Sequence, residues 1–180
     1  AQYISTIANG GYRVQPRMLK EVRNPSDDGE NLGTLVQEVE PKVLNRINNT
    51  EEEINHVKEG LYRVYTGGFG SARSSFASAE YTAAGKTGTA QVIYSDPSKG
   101  ISMKDTINLV HVGFAPYENP EVAYAVMIPW ATTNFDNSLP HASRVARESL
   151  DAYFELQKKY ETNGIKETST DQKILPTTTE

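Results

Sequence analysis

The sequence predicts a mixed α/β (α+β) fold in which an antiparallel sheet is flanked by helices. Two segments, 50–66 and 140–160, have apolar side chains at the spacing of an amphipathic helix. Three apolar segments between them have the length and composition of strands: about 84–94, 107–115 and 121–129. The linker 117–120 is short enough for a hairpin turn, so the last two strands are expected to pair antiparallel.

The N-terminal third is predicted to be a short helix followed by extended chain. Residues 2–9 have apolar side chains at helical spacing. The helix is expected to end at Asn9-Gly10-Gly11, because asparagine and glycine accept the left-handed conformation of a C-cap. Three segments follow in order: an extended stretch over 12–23, a surface loop over 24–29 and a weaker strand over 34–40.

The helix over 50–66 has the clearest start signal. Thr50 and Glu53 have the spacing of a capping box, and the acidic residues at 51–53 suit the positive end of the helix dipole. The Gly/Ser/Ala-rich segment 67–83 ends the helix and is predicted to be a flexible connection into the next strand. It is not a phosphate-binding loop, because it lacks the Walker lysine and follows a helix.

The strand over 121–129 is continuously apolar, which predicts that both its faces are covered and that it is central in the sheet. The polar connection over 95–106 is predicted to be mobile. The three strands are expected to pack one face against the helix over 140–160. Its apolar stripe comprises Val145, Ala146, Leu150, Tyr153, Leu156 and Tyr160.

The chain is predicted to form one domain over 1–161 with a disordered tail over 162–180. A chain of 180 residues is long enough for one domain with a core. The tail is rich in threonine, glutamate and lysine and has few apolar side chains. The opening residues lack an initiator Met and the features of a signal peptide, so we expect an upstream sequence.

Composition excludes several classes of function. The net charge of -5 and the lack of a basic stripe argue against nucleic acid as a partner. The absence of cysteine excludes disulfides, zinc–cysteine sites and thiol nucleophiles. No run of 18 apolar residues is present that could span a membrane.

The sequence Lys86-Thr87-Gly88-Thr89-Ala90 is the strongest chemical signal. A lysine and two threonines also occur in ordinary strands, so the motif alone is weak. A glycine inside a strand, however, often marks close approach by a ligand or another backbone. Lys-Thr-Gly accompanies Ser-x-x-Lys and a Ser-x-Asn type motif in penicillin-recognising enzymes. Neither serine motif occurs in this sequence.

The three histidines give little support to another chemistry. A Ser-His-Asp hydrolase is disfavoured because no Gly-x-Ser-x-Gly elbow is present. His56 lies on the polar side of its predicted helix, and His111 is more typical of a core or cleft histidine. With His141 they are too scattered to predict a metal site, and no cofactor is predicted.

Longer stretches resemble the C-terminal half of the transpeptidase domain of class B penicillin-binding proteins, of the division type found in low-GC Gram-positive bacteria. The matching stretches are Ala1–Gly11, Arg13–Pro16, Glu59–Val64, Ala84–Gln91, Gly113–Pro116, Asn119-Pro120 and the C-terminal helix. The resemblance covers about residues 1–160 and implies a partial penicillin-binding/serine β-lactamase-like fold. The Ser-x-x-Lys and Ser-x-Asn motifs of the family are expected upstream of Ala1.

The resemblance implies a role for each residue of the motif. Lys86 would reach the serine of Ser-x-Asn and support proton transfer. The hydroxyls of Thr87 and Thr89 would hold the carboxylate of a D-Ala-D-Ala stem or of a β-lactam, and the N–H of Thr89 would be an oxyanion donor. Gly88 would leave room for the acyl donor to lie along the strand. Lys86 and Thr89 are thus candidate catalytic residues, and all four are candidate binding residues.

The implied function is a peptidoglycan DD-transpeptidase that works through a serine acyl-enzyme, with this chain alone inactive. Its partners would be stem peptides, β-lactams, the remainder of its own transpeptidase domain and division proteins. It would lie at the extracytoplasmic face of the cell membrane, held only by an N-terminal anchor that this chain lacks. Two alternatives stay open: a non-catalytic module of the same fold that binds division partners, and a serine β-lactamase relative.

Overall fold

The computed structural model describes residues 1–26, 32–131 and 140–162. In chain order the elements are α1 (Gln2–Ala8), β1 (Tyr12–Val14), β2 (Glu21–Arg23), β3 (Leu35–Glu38), β4 (Val43–Arg46), α2 (Glu51–Thr66), α3 (Arg73–Phe76), β5 (Ala84–Asp96), β6 (Ile101–Ala115), β7 (Val122–Ala131) and α4 (His141–Thr162). No helix in these ranges is long and apolar enough to cross a membrane.

The three predicted strands form one antiparallel sheet in the order β5-β6-β7, as expected. The helix α4 packs against β6 and β7, which confirms the predicted helix on one face of the sheet. The predicted central position of the last strand is wrong for the described residues, because β6 is central and β7 lies at an edge. Along β7 the exposed residues Ala125 and Met127 alternate with partly buried ones, so one face is covered along the strand. The other face is covered only near its start, where Ala123 packs against the cluster that contains Phe114 and residues of α1.

The connection predicted to be mobile over 95–106 is instead the end of a long hairpin. The register of β5 and β6 runs from Ala84 opposite Phe114 to Tyr94 opposite Lys104. A 3-10 turn over Pro97–Lys99 closes the hairpin. The carboxylate of Asp96 accepts a hydrogen bond from the N–H of Ser98 at the start of this turn. A proline and a polar composition therefore marked a tight turn rather than a loop.

Two small antiparallel sheets lie between α1 and α2 in the chain. β1 pairs with β4, and β2 pairs with β3. The segment predicted to be extended over 12–23 therefore contains two separate short strands, and the weaker strand predicted over 34–40 is β3. β4 was not predicted, because all its side chains are exposed and leave no apolar alternation in the sequence.

The helix α2 begins as its sequence predicts. The backbone N–H of Thr50 donates to Oε2 of Glu53 over 2.9 Å, and the N–H of Glu53 donates to Oγ1 of Thr50 over 3.2 Å. This reciprocal capping box satisfies two backbone donors that the first turn leaves without partners. Ile54 and Tyr65 are the buried residues of the helix and attach it to the rest of the fold.

The core occupies both faces of the three-stranded sheet. The cluster that we call the α4-side core contains Tyr65, Ala72, Phe76, Ala83, Ala115, Ala146 and Leu150. The cluster that we call the α1-side core contains Ile4, Ile7, Ala8, Ala84 and Phe114. Phe114 and Ala115 are successive residues of β6, so their side chains point to opposite faces of the sheet.

The apolar stripe predicted for α4 is only partly buried. Small residues and one leucine make the buried contact: Ala142, Ser143, Ala146 and Leu150. Val145, Leu156 and Tyr160 are about half exposed, so the predicted stripe coincides only in part with the face that packs on the sheet. α4 includes Thr162, and the rest of the tail predicted over 162–180 lies outside the described residues.

Candidate active site

The Lys86–Thr89 motif lies on β5, which pairs only with β6 among the described residues. Successive side chains of a strand point to opposite faces. Thr87 is opposite His111 in the register and belongs with Thr89 to the α4-side face, whereas Lys86 and Gly88 belong to the α1-side face. Lys86, Gly88 and Thr89 are exposed and Thr87 is partly buried. The structure therefore displays all four predicted site residues along one exposed strand.

Glycine at position 88 is not required by the chain itself. A Cβ at Gly88 would meet only the Cβ of Val110, at an ordinary contact distance of 3.8 Å. Its φ is not in the left-handed region. The space beside Gly88 is therefore not filled by the described residues, and the role of this glycine in binding stays a prediction.

Two polar contacts fix side chains of the motif. The Nζ of Lys86 donates to the backbone carbonyl of Thr87 over 2.7 Å. The hydroxyls of Ser71 and Thr87 are hydrogen-bonded over 2.7 Å, although the two residues are 16 positions apart. Ser71 was not predicted as a site residue, and its only signal in the sequence is a serine directly after the glycines at 67, 68 and 70.

The segment that carries Ser71 is a tight turn rather than the predicted flexible connection. The N–H of Gly70 donates to the carbonyl of Gly67 over 3.0 Å, and the N–H of Ala72 donates to the carbonyl of Val64 over 3.1 Å. A Cβ at Gly70 would lie 2.4 Å from the carbonyl oxygen of Val64, so only glycine fits there. Because Ala72 is fully buried, the turn is held against α2 on both sides of Ser71.

A buried polar cluster of Tyr65, His111 and Tyr124 lies behind the motif on the α4-side face. The Nε2 of His111 is hydrogen-bonded to the hydroxyl of Tyr65 over 2.7 Å and to that of Tyr124 over 3.3 Å. The two tyrosine hydroxyls are also hydrogen-bonded to each other. His111 is fully buried, so of the two predicted alternatives, core or cleft, it is a core histidine, whereas His56 is exposed.

The cluster is electrically neutral at ordinary pH. Burial, and secondarily the charge of Lys86, lowers the pKa of His111 to about 4. Burial raises the pKa of the Tyr65 and Tyr124 hydroxyls. The cluster therefore adds no positive charge near the ammonium of Lys86.

A pair of glycines makes room for this cluster. Gly85 of β5 lies opposite Gly113 of β6 in the register. A Cβ at Gly85 would lie 2.2 Å from the carbonyl oxygen of Val112 and 2.7 Å from the hydroxyl of Tyr65. A Cβ at Gly113 would lie 2.5 Å from the hydroxyl of Tyr124. The residue that must be glycine in this strand is thus Gly85, which the sequence analysis did not single out.

Comparison with known proteins identifies the family to which this strand motif belongs. A sequence model of the penicillin-binding protein transpeptidase domain matches residues 1–151. Penicillin-binding protein 2A of Bacillus subtilis is 41% identical over 172 residues, which cover 96% of this chain and 24% of that protein. Penicillin-binding protein H of the same organism is 38% identical over 160 residues, which cover 89% of this chain and 21% of that protein.

A solved structure of penicillin-binding protein 2B from Streptococcus pneumoniae superposes with a TM-score of 0.71 at 30% identity, over 86% of this chain and 24% of that one. The chain belongs to the penicillin-binding protein transpeptidase domain family, and the resemblance to class B penicillin-binding proteins is confirmed. It spans about a quarter of the length of these relatives.

Proposed function

We propose that this member of the penicillin-binding protein transpeptidase domain family forms the strand side of the active site in a peptidoglycan DD-transpeptidase. The observation that carries the proposal is the exposed Lys86–Thr89 segment on β5, with an open space beside Gly88. Such an enzyme attacks the carbonyl of a D-Ala-D-Ala stem with a serine, releases D-Ala and transfers the acyl group to an amine of a neighbouring stem.

Each residue of the motif has a proposed part in this reaction. The ammonium of Lys86 supports proton transfer to and from the serine of the Ser-x-Asn motif. The hydroxyls of Thr87 and Thr89 hold the carboxylate of the stem or of a β-lactam. The backbone N–H of Thr89 is one of two oxyanion donors, and a donor of this kind typically contributes about 3 kcal/mol to stabilising the transition state.

The nucleophile is proposed to come from the remainder of the same transpeptidase domain. No serine in this sequence has a lysine three residues later, and no Ser-x-Asn is present. The 180-residue chain alone is therefore proposed to be inactive. The whole protein is proposed to act on stem peptides, to bind β-lactams and to work at the extracytoplasmic face of the cell membrane with division proteins as partners.

Two lysines of the same hairpin test this proposal in the full-length protein. Lys86→Ala removes an ammonium from the motif, whereas Lys99→Ala removes one from the hairpin turn, where its Nζ lies 3.2 Å from Oδ2 of Asp96. The second-order rate constant for acylation by penicillin is expected to fall by about 100-fold or more for Lys86→Ala, since an electrostatic contact to the transition state is lost. Lys99→Ala should react at the wild-type rate. Equal rates for the two variants would show that β5 does not line the site.

A further inference from the structure

The hydroxyl of Ser71 reaches the motif from outside its strand. Ser71 lies on the turn between α2 and α3, and its Oγ is 2.7 Å from the Oγ1 of Thr87. Thr89 is two residues further along the same face, about 7 Å away by the rise of a strand. Ser71 therefore contacts the first of the two threonine hydroxyls on this face, that of Thr87.

We propose that Ser71 is a positioning residue that directs the proton of Thr87 toward the carboxylate of the bound acyl donor. This inference rests on the proposed function and adds a residue that the strand motif does not contain. Ser71 acts through Thr87, so its contribution depends on the negative charge of the ligand rather than on the bond that reacts.

The number of protons in the hydroxyl pair determines which hydrogen bonds it can make. Each hydroxyl has one proton to donate and can accept through its oxygen, whereas a carboxylate only accepts. When Thr87 donates to a carboxylate, its own oxygen is free to accept, and Ser71 is at hydrogen-bond distance to supply the donor. The resulting chain, from Ser71 through Thr87 to the carboxylate, ends on a charge, and each bond in such a chain strengthens the next.

The fold does not need this hydrogen bond to hold the turn in place. Backbone bonds from Gly70 and Ala72 fix the turn on either side, and Ala72 is fully buried. The side chain of Ser71 is exposed, and a hydrogen bond in contact with water contributes little to stability. A rigid turn that presents an exposed hydroxyl to a motif residue is better explained by a role in orienting that residue.

The test compares two ligands that differ in charge, using the full-length protein and the variants Ser71→Ala and Ser71→Thr. The ligands are penicillin with its free carboxylate and the methyl ester of the same penicillin. Ser71→Ala is expected to lower the acylation rate constant for the acid about 10-fold and to change that for the ester less than 2-fold, since one charge-assisted hydrogen bond is weakened. Ser71→Thr keeps the hydroxyl and should retain the wild-type rate.

Two controls separate a positioning role of Ser71 from a general loss of acylation activity. Ser74→Ala removes an exposed hydroxyl of α3 in the same segment and should leave both rates unchanged. In a Thr87→Ala background, Ser71→Ala should cause no further loss, because the residue through which it acts is gone. Additive losses of the two substitutions would overturn the proposal.

The outcomes distinguish this inference from the proposed function. The proposed function stands if penicillin acylates the wild-type protein and acylation of Lys86→Ala is slow. If, in that case, Ser71→Ala has unchanged acylation rates or lowers the rates for the acid and the ester equally, then Ser71 has no positioning role. A loss in Ser71→Thr as large as in Ser71→Ala would also overturn the inference. If penicillin does not acylate the wild-type protein, the proposed function fails and the inference fails with it.

Discussion

The two ends of the β5–β6 hairpin belong to the same antiparallel pair of strands but differ in what lies behind them. At the end near the motif, Ala84 and Phe114 are fully buried. At the far end, Ile93 is 60% exposed and Met103 is 72% exposed. Strand pairing therefore extends along the hairpin, with one irregularity between Tyr94 and Asp96, whereas apolar side chains are buried more completely at the end near the motif. The candidate site lies near the packed end, where side chains can be held in a fixed geometry.

The near end is supported differently on its two faces. The α1-side core is apolar and places Phe114 against α1. The α4-side face instead holds the neutral polar cluster of Tyr65, His111 and Tyr124. A polar cluster has directional bonds, so it positions a strand more strictly than apolar contacts of the same size. We expect the motif to depend more on the α4-side face.

The largest expected effect concerns the two glycines of the motif strand. In Gly85→Ala the new Cβ would lie 2.2 Å from the carbonyl oxygen of Val112, so the backbones of two strands must separate. We expect the free energy of unfolding to fall by about 3 kcal/mol or more, as for severe overpacking. Gly88→Ala has space and should change stability by less than about 1 kcal/mol. Urea denaturation of both variants measures the difference, and similar midpoints would refute the assigned close approach at Gly85.

The second effect is a pH dependence of the free energy of unfolding, and it arises from His111. Its pKa of about 4 in the folded protein lies below the ordinary value of 6.5. As the pH falls from about 6.5 toward 4, the unfolded chain binds a proton that the folded protein does not, so stability decreases over this window. The contribution is about 3 kcal/mol at most, since one pKa unit corresponds to about 1.4 kcal/mol.

A matched pair of substitutions isolates this contribution. His111→Gln keeps a hydrogen-bonding side chain beside Tyr65 but does not titrate, so its loss of stability between pH 6.5 and 4 should be smaller than in the wild type. His56→Gln replaces an exposed histidine and should follow the wild-type curve. The carboxylates of Glu53 and Asp96, whose pKa values are lowered by hydrogen bonds, affect all three proteins alike. Parallel curves for all three would exclude a neutral buried His111.

Local signals in the sequence predicted the main elements and the motif. The capping box of Thr50 and Glu53 defines the start of α2 within a few residues, because both partners belong to one turn. The short linker 117–120 predicted the antiparallel pairing of β6 and β7 for the same reason. Lys86–Thr89 was recognisable because its residues are contiguous and the family order surrounds them.

Features that depend on distant residues could not be predicted in this way. The contact of Ser71 with Thr87 depends on how the turn after α2 folds back on β5. The buried cluster joins α2, β6 and β7, and no periodicity relates Tyr65 to His111 and Tyr124. The wrong prediction of a central position for β7 shows the same limit, because an apolar strand does not reveal which strands lie beside it.

The smallest expected effect tests whether the far end of the hairpin is weakly packed. Val112→Thr and Ile93→Thr both keep a β-branched side chain, so they preserve the preference for a strand. Val112 packs against the α1-side core, and a hydroxyl there should lower the free energy of unfolding by about 1 kcal/mol or more. Ile93 is mostly exposed, and its substitution should change stability by less than about 0.5 kcal/mol. Urea denaturation of both variants decides the matter: an equal loss for Ile93→Thr would mean that the far end is packed in the folded protein and that the two ends are alike.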